Sequence, residues 1–433
     1  LVLAFGWGWQ ALRASGNNSN NNNNGEGNDD FDSVSLSGLL WLCCLTSLVS
    51  ILLSAGSLHV MSHHSEVLIQ TSLIASCCFM AIFVIGFLMD GLTVMGVVWL
   101  VMLLLTLLYA RAVWHRIPFA ASNLRTALSA VQTNAGVCIV AYGIAFVANV
   151  WVVLWCMAFV GVAFRESSCD SNGVCQGNNM DAISVTLLVL SFHWTSQVLK
   201  NVLHVTVSGV VGTWWFAPQD CLSVWSPAIM DSFSRATTYS FGSICMGSLL
   251  VAVIQTLQNL ARNARQRNGG GLLLCVVECI LHFLARVAKY FNKWAYVYIG
   301  LYGYDYLTAG KKVLELFESR GWTTIINDNL VQRCLVLVAL TIGAITGFIG
   351  ILLARTTGWA TSTVGEDSDR IVFLICFVVG MCITNILMGV VLSAVDTVIV
   401  SFAEAPAEFE TNHPALYQNM VNKWQAVYPD CGL

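Results

Sequence analysis

Apolar runs long enough to cross a bilayer recur along this sequence, at roughly 37–60, 67–89, 92–110, 135–163, 181–199, 237–260, 330–354 and 370–396. About 20 residues rising 1.5 Å each traverse a ~30 Å hydrocarbon core. A segment with no water to bond must close its backbone hydrogen bonds internally, and for runs of this length that means α-helix. Composition agrees. Charged residues make up only 10%, where a soluble chain has about 25%. A net charge of −4 leaves no basic footprint, which argues against nucleic acid as a partner. The expectation is an all-α, polytopic transmembrane bundle of about ten spans, in contact with membrane lipids.

Residues 1–14 (LVLAFGWGWQALRA) read as the trailing end of a first span that starts before Leu1, with no cleavable signal peptide. An Asn/Gly/Ser tract follows at 15–30, a low-complexity polar loop that cannot bury a core. Three segments result: 1–38 with the span end and this loop, a membrane domain over 39–396, and a cytosolic tail over 397–433. Asn17-Asn18-Ser19 is a glycosylation sequon. Most of the 16 cysteines lie inside apolar runs, where they act as small hydrophobes. Cys169 and Cys175 differ, lying six apart in the polar loop RESSCDSNGVCQGNNM. They read either as a disulfide on an oxidising face or as two free thiols. No C-x-x-C pair has a distant partner pair, so no structural zinc and no cofactor is expected.

Between two apolar segments lies SFHWTSQVLKNVLHVTVSGVVGTWWF, residues 191–216. It carries His193, Gln197, Lys200, Asn201 and His204, then Gly209, Gly212 and the pair Trp214–Trp215. Polar and ionisable groups at membrane depth are costly and tend to mark a pathway or a bundle interior. Glycines beside β-branched residues weaken a helix, so the stretch reads as a broken, unwound intramembrane segment. The plainer alternative is a re-entrant turn whose histidines bond backbone carbonyls. Residues 272–293 place Glu278, His282, Arg286, Lys289 and Lys293 on one helical stripe, opposite Leu, Val, Ile and Phe. This pattern suits an interfacial amphipathic helix. It also suits a bundle-interior span with Glu278 and His282 facing a pore.

Loop charge supplies a topology. If 201–217 crosses, 15 of the 20 Lys and Arg fall inside, among them Lys200, Arg333 and Lys423; Arg13, Arg165, Arg235, Arg355 and Arg370 fall outside. Without that crossing, Arg262, Arg265 and Arg267 would move to the outer side. The count therefore favours a crossing.

Four blocks resemble the choline transporter-like family: NVLHVTVSGVVGTWWF, YSFGSICMGSLLVAVIQTLQNLAR, FNKWAYVYIGLYGYDYLTAGKKVLELFESRGWTTIINDNLV and LSAVDTVIVSFAEAPAEFETNHPAL. The versions GYDYLTAGKKV and AEAPAEFE are similar to the fungal, plant and protist branch. The resemblance implies ten transmembrane helices with both termini cytosolic. It also implies transport of choline or a related amine such as ethanolamine, across the plasma membrane or an organelle membrane. The long first external loop of animal members is absent here.

Choline is a permanent cation whose nitrogen cannot donate a hydrogen bond, so an aromatic cage suits it, each face contributing about 0.5–2 kcal/mol. Trp194, Trp214 and Trp215 flank the central stretch, with Trp151 and Trp155 on another span, though Trp also anchors membrane interfaces. Asp396, near the end of the last span, reads as a cation path or as an interfacial cap. Asp305 sits among Tyr302, Tyr304 and Tyr306 in a motif that could form a vestibule. The expected substrate-binding set is Trp194, Asn201, His204, Trp214, Trp215, Tyr302 and Asp396. An intramembrane enzyme using His193 or His204 is disfavoured, since no nucleophile–base pair or metal-ligand spacing accompanies them. A non-transporting organiser of lipid or vesicle traffic, binding headgroups through 262–267 and 272–293, is the alternative. Gly343-x-x-x-Gly347 predicts close helix contact.

Overall fold

A computed structural model describes residues 29–165, 167–169, 175–177, 182–221, 223–267, 272–320, 330–356 and 368–427. Asn17 and the asparagine tract lie outside the described residues. Two compact units emerge. The first takes Ile139–Thr206 and Met230–Lys311 with the N-terminal stretch; the second takes Ser35–Cys138, Val207–Ile229 and Lys312–Leu433.

In the second unit, helix α1 (Asp29–Met89) is far too long for one span. Its apolar part, Trp41–Met89, has 49 residues, about 74 Å of rise at 1.5 Å per residue. A break at His64 (φ −120°, ψ 32°) divides it where the sequence separates 37–60 from 67–89. Helix α2 (Thr93–Val113) follows a turn at Asp90–Gly91, with Gly91 at φ +75°, a left-handed conformation that glycine adopts without steric cost. The α1–α2 hairpin closes with Phe83 stacked on Trp99, ring centroids 4.9 Å apart. Helix α3 (Ile117–Thr133) starts with a proline in its first turn and buries one full face.

Helices α10 (Leu330–Thr356) and α11 (Ser368–Glu404) pack along a glycine seam. Gly343 faces the Phe377 carbonyl and Gly347 the Phe373 ring, as the small-x-x-x-small spacing predicts. Gly380 lies against Thr346, whose hydroxyl also meets Ser50 of α1 at 3.0 Å. Short helices α12 (Pro406–Asn412) and α13 (Pro414–Val427) then return over α3. There the Trp424 indole donates to Asn123 at 3.1 Å and meets the Phe119 and Phe402 rings at tilted and edge-on angles.

In the first unit, α4 (Gly136–Arg165) and α5 (Ala182–Phe216) flank a small hairpin, β1 (Ser167–Cys169) with β2 (Cys175–Gly177). This hairpin is a minor addition to the all-α expectation, and its register sets Cys169 directly opposite Cys175. Helix α6 (Pro227–Thr237) leads into α7 (Phe241–Arg267), which forms an antiparallel pair with α8 (Leu272–Tyr302). Six stretches of the described residues are long and apolar enough to cross a membrane: Trp41–Met89, Thr93–Thr133, Gly136–Val162, Phe241–Gln266, Leu330–Thr356 and Asp369–Glu404.

One expectation changes. The 191–216 stretch is not unwound: all of it lies in the unbroken 35-residue α5. Gly209 and Gly212 stay helical because tertiary burial outweighs their weak propensity. Val207, Val210, Val211, Trp214 and Trp215 are all buried around them. Hydroxyls back-bond within the helix, Thr206 to the Val202 carbonyl and Thr213 to that of Gly209. An unbroken helix cannot double back, so 181–199 and 201–217 are one element rather than two opposed crossings. Contacts agree: Trp215 bonds Ala405 beyond the last span, and Gly136, three residues past α3, donates its N–H to the Val224 carbonyl. The Trp pair thus shares a side with α3 and the tail, where the charge count had set them apart. That count weighed Arg262, Arg265 and Arg267 as loop residues, but they occupy the last two turns of α7.

Residues 272–293 are the first part of α8. Glu278 meets Arg262 (3.8 Å) and Arg265 (2.7 Å), Gln258 donates to the Leu281 carbonyl, and Asn292 donates to that of Gly247. Within the stripe Glu278 pairs with α7, while Arg286 and Lys289 are exposed, as are Val276, Ile280 and Phe283 on the apolar side.

Candidate polar seam

The polar residues of α5 recur at spacings of four, four and three, so His193, Gln197, Asn201 and His204 share one face. Each finds a partner within the first unit. The Asn259 amide donates to His193 Nε2 at 2.9 Å. Gln197 reaches Gln255 at 3.4 Å. Asn201 Nδ2 donates to Ser248 Oγ at 2.9 Å and to Tyr296 Oη at 3.2 Å. His204 Nε2 lies 3.2 Å from the Lys293 carbonyl. A carbonyl can only accept, so Nε2 carries the proton there.

Helix α8 extends this seam. The Tyr296 hydroxyl sits among Asn201, Ser248 and the Ile244 carbonyl (3.3 Å). The Asn292 amide bonds the Gly247 carbonyl, and its oxygen accepts from the Tyr306 hydroxyl. Gly247 makes the close approach possible, because a Cβ there would stand 2.5 Å from Tyr296 Oη. Tyr306 is delivered by a turn after α8. Gly303, at φ +73°, ends α8 in the left-handed conformation that suits glycine. Asp305 then caps α9 (Tyr306–Ser319), its carboxylate accepting the Thr308 N–H at 3.1 Å. Bonds from the Thr308 hydroxyl and N–H hold this carboxyl below the usual carboxylate range. Asp305 is therefore a helix cap.

Of the expected site residues, Asn201 and His204 lie in the seam, the His204 and Tyr296 rings 6.3 Å apart. The Trp194 indole donates to the Cys245 carbonyl at 3.1 Å. Tyr302 sits apart, with its ring near Tyr298 and Tyr304. The other three belong to the second unit. Trp214 stacks on His413 and Trp215 on Phe409, each pair of centroids 4.0 Å apart. The His413 ring bonds the Trp214 carbonyl and the Asn412 amide bonds that of Trp215, closing carbonyls that α5 leaves open at its C-terminus. Both indoles are fully buried. Asp396 is buried in α11, next to Thr397, which donates to Ser208 at 3.0 Å. Trp155 packs α4 on α5, its indole donating to the Leu188 carbonyl.

Over residues 97–407 the sequence matches the family model described as plasma-membrane choline transporter. The chain belongs to the choline transporter-like family. Protein PNS1 of Gibberella zeae is 30% identical over 345 residues, covering 76% of this chain and 62% of that protein. A CTL-like protein of Dictyostelium discoideum is 28% identical over 379 residues, covering 86% and 64%. Protein PNS1 of Saccharomyces cerevisiae is 29% identical over 349 residues, covering 77% and 64%. The chain thus spans a little under two thirds of the length of these relatives. Membership in this choline transporter-like family agrees with the helical, multi-pass membrane architecture.

The family-like blocks converge in space. In the first unit, Asn201, Ser248, Asn292, Tyr296 and Tyr306 come from three of them. In the second, Trp214 and Trp215 of the first block meet Phe409 and His413 of the last. Sequence reasoning picked out Asn201 and His204, and noted Tyr306 only beside Asp305, but missed Ser248, Asn292 and Tyr296. A lone serine in an apolar span and tyrosines near a helix end carry no local signal of a shared hydrogen-bond network.

Proposed function

We propose that the protein carries choline or a related small organic cation or amine, ethanolamine among them, across the plasma membrane by alternating access. The family match across 97–407 carries this reading. The seam supports it with suitable chemistry. His204, Tyr296 and Tyr306 offer aromatic faces for a methylated ammonium. Asn201 and Ser248 offer neutral partners for the substrate hydroxyl. Trp194 and Tyr302 add aromatic faces for the cation in the first unit, and Asp396 adds a buried carboxylate in the second. Trp214 and Trp215 serve the reading by anchoring α5 to the tail, since His413 and Phe409 already cover their faces.

The test is uptake of radiolabelled choline into proteoliposomes holding the purified protein, with unlabelled choline and ethanolamine as competitors. Saturable, competed uptake is expected. Asn201→Ala should lower its efficiency about tenfold, equivalent to losing one interaction of ~1.4 kcal/mol. Folded protein that gives no uptake above empty liposomes would sink the reading.

A further inference from the structure

We propose that His59 and His63 of α1 form a binding site for a divalent transition-metal ion of the kind that imidazole holds. His63 stands immediately before the break at His64, and His59 one turn earlier. Residues four apart share one helical face, the spacing from which paired histidines hold a metal ion on a helix. The two rings do meet, with centroids 4.5 Å apart and planes at 47°. Both residues are exposed, so an ion can reach them.

Hydrogen bonds prepare the pair. His63 Nδ1 lies 3.0 Å from the His59 carbonyl, and a carbonyl only accepts, so Nδ1 carries the proton. In the neutral ring this leaves the lone pair on Nε2. Ser62 Oγ stands 3.1 Å from the same Nδ1 and itself donates to the His59 carbonyl at 2.8 Å, which fixes the ring. A ligating histidine is ordinarily oriented in this way, its second nitrogen bonded to a backbone carbonyl or carboxylate. Among the described residues, no group bonds His63 Nε2 or either ring nitrogen of His59. A histidine near a helix end also bonds a last carbonyl as a cap. A cap needs one ring; the second ring, 4.5 Å away and with no bond of its own, points to a shared ligand. Two imidazoles leave the remaining positions of the ion to water. Glu66, the nearest carboxylate along α1, is already paired with Lys423 at 3.4 Å. A bound ion would staple the last turn of the first half of α1, where the helix breaks.

The test is calorimetric titration of Ni²⁺ into the detergent-solubilised full chain, free of any affinity tag, with hydrogen exchange of the 60–64 amides followed in parallel. Nickel suits imidazole, whereas the chain's 16 cysteines would compete for softer ions. The wild type should bind the ion saturably, and exchange of those amides should slow. His64→Gln, which removes a neighbouring histidine outside the pair, should behave as the wild type does. Ser62→Ala keeps both ligands but loosens the His63 ring, and should weaken binding about tenfold. His59→Gln/His63→Gln should lose both the binding and the slowed exchange. Both residues are exposed, so this variant should melt as the wild type does without metal. No binding to the wild type, binding that persists in the double variant, or an equal loss in His64→Gln overturns the proposal.

Discussion

Gly247 is where a single methyl group should do most to the seam. An alanine Cβ at this position would stand 2.5 Å from Tyr296 Oη and 2.9 Å from Tyr306 Cδ2, where ordinary contact begins near 3.4 Å. Neither ring is free to retreat. Tyr296 is held by Asn201 and Ser248, Tyr306 by Asn292, and both rings are buried. Overpacking a tight site costs about 1–3 kcal/mol. Each interhelical hydrogen bond displaced in a membrane protein adds about 0.6 kcal/mol. Gly247→Ala should therefore destabilise the protein by about 2–4 kcal/mol, these two costs combined. Gly242, five residues earlier on the same helix, has nothing within 4 Å of a built Cβ. Gly242→Ala should be neutral or stabilising by up to about 1 kcal/mol, from backbone entropy alone. The assay is unfolding in mixed micelles followed by fluorescence, with Tyr296→Phe and the double variant completing a cycle. Removing the hydroxyl vacates part of the clash, so the double variant should recover about 1 kcal/mol relative to additivity. Equal effects at Gly242 and Gly247, or strict additivity, would show that the clash does not govern the site.

Two further outcomes test the outlying parts of the structure. Directly opposed residues of an antiparallel pair have Cα atoms about 4.5–5.5 Å apart, within the roughly 4.4–6.8 Å a disulfide spans. Peptide mapping of non-reduced protein should thus recover Cys169 linked to Cys175, and alkylation of both thiols without reductant would refute the link. At the cap of α9, Asp305→Ala should lower the melting temperature, and Asp305→Asn should restore much of it, since asparagine also caps. The native carboxyl of Asp305 titrates below its unfolded value of about 3.9, so its extra stabilisation is present above that pH. It is lost as pH falls through the native value. The gap between wild type and Asp305→Asn should close below about pH 4, and a gap independent of pH would refute the assignment.

The sequence by itself determined the class of the protein and much of its punctuation. Long apolar runs leave the backbone no partner outside the helix, so helices and their positions follow from composition along the chain. Gly91 and Gly303 take their positive-φ turns because glycine adopts that conformation cheaply. The pair at Gly343 and Gly347 could be read as a contact because small residues let backbones approach. Other decisions belonged to tertiary structure. Whether Gly209 and Gly212 break α5 depends on what surrounds them, and a buried sleeve of valines and tryptophans holds the helix straight. A stripe of polar residues at helical spacing has the same pattern whether it faces a membrane surface or another helix. Tertiary structure sets Glu278 against α7 and leaves Arg286 and Lys289 exposed. Indole faces suited to a cation are equally suited to Phe409 and His413, nearly 200 residues away in the chain. Local propensity and periodicity act over a turn or two, while these choices rest on contacts made only once the helices have assembled.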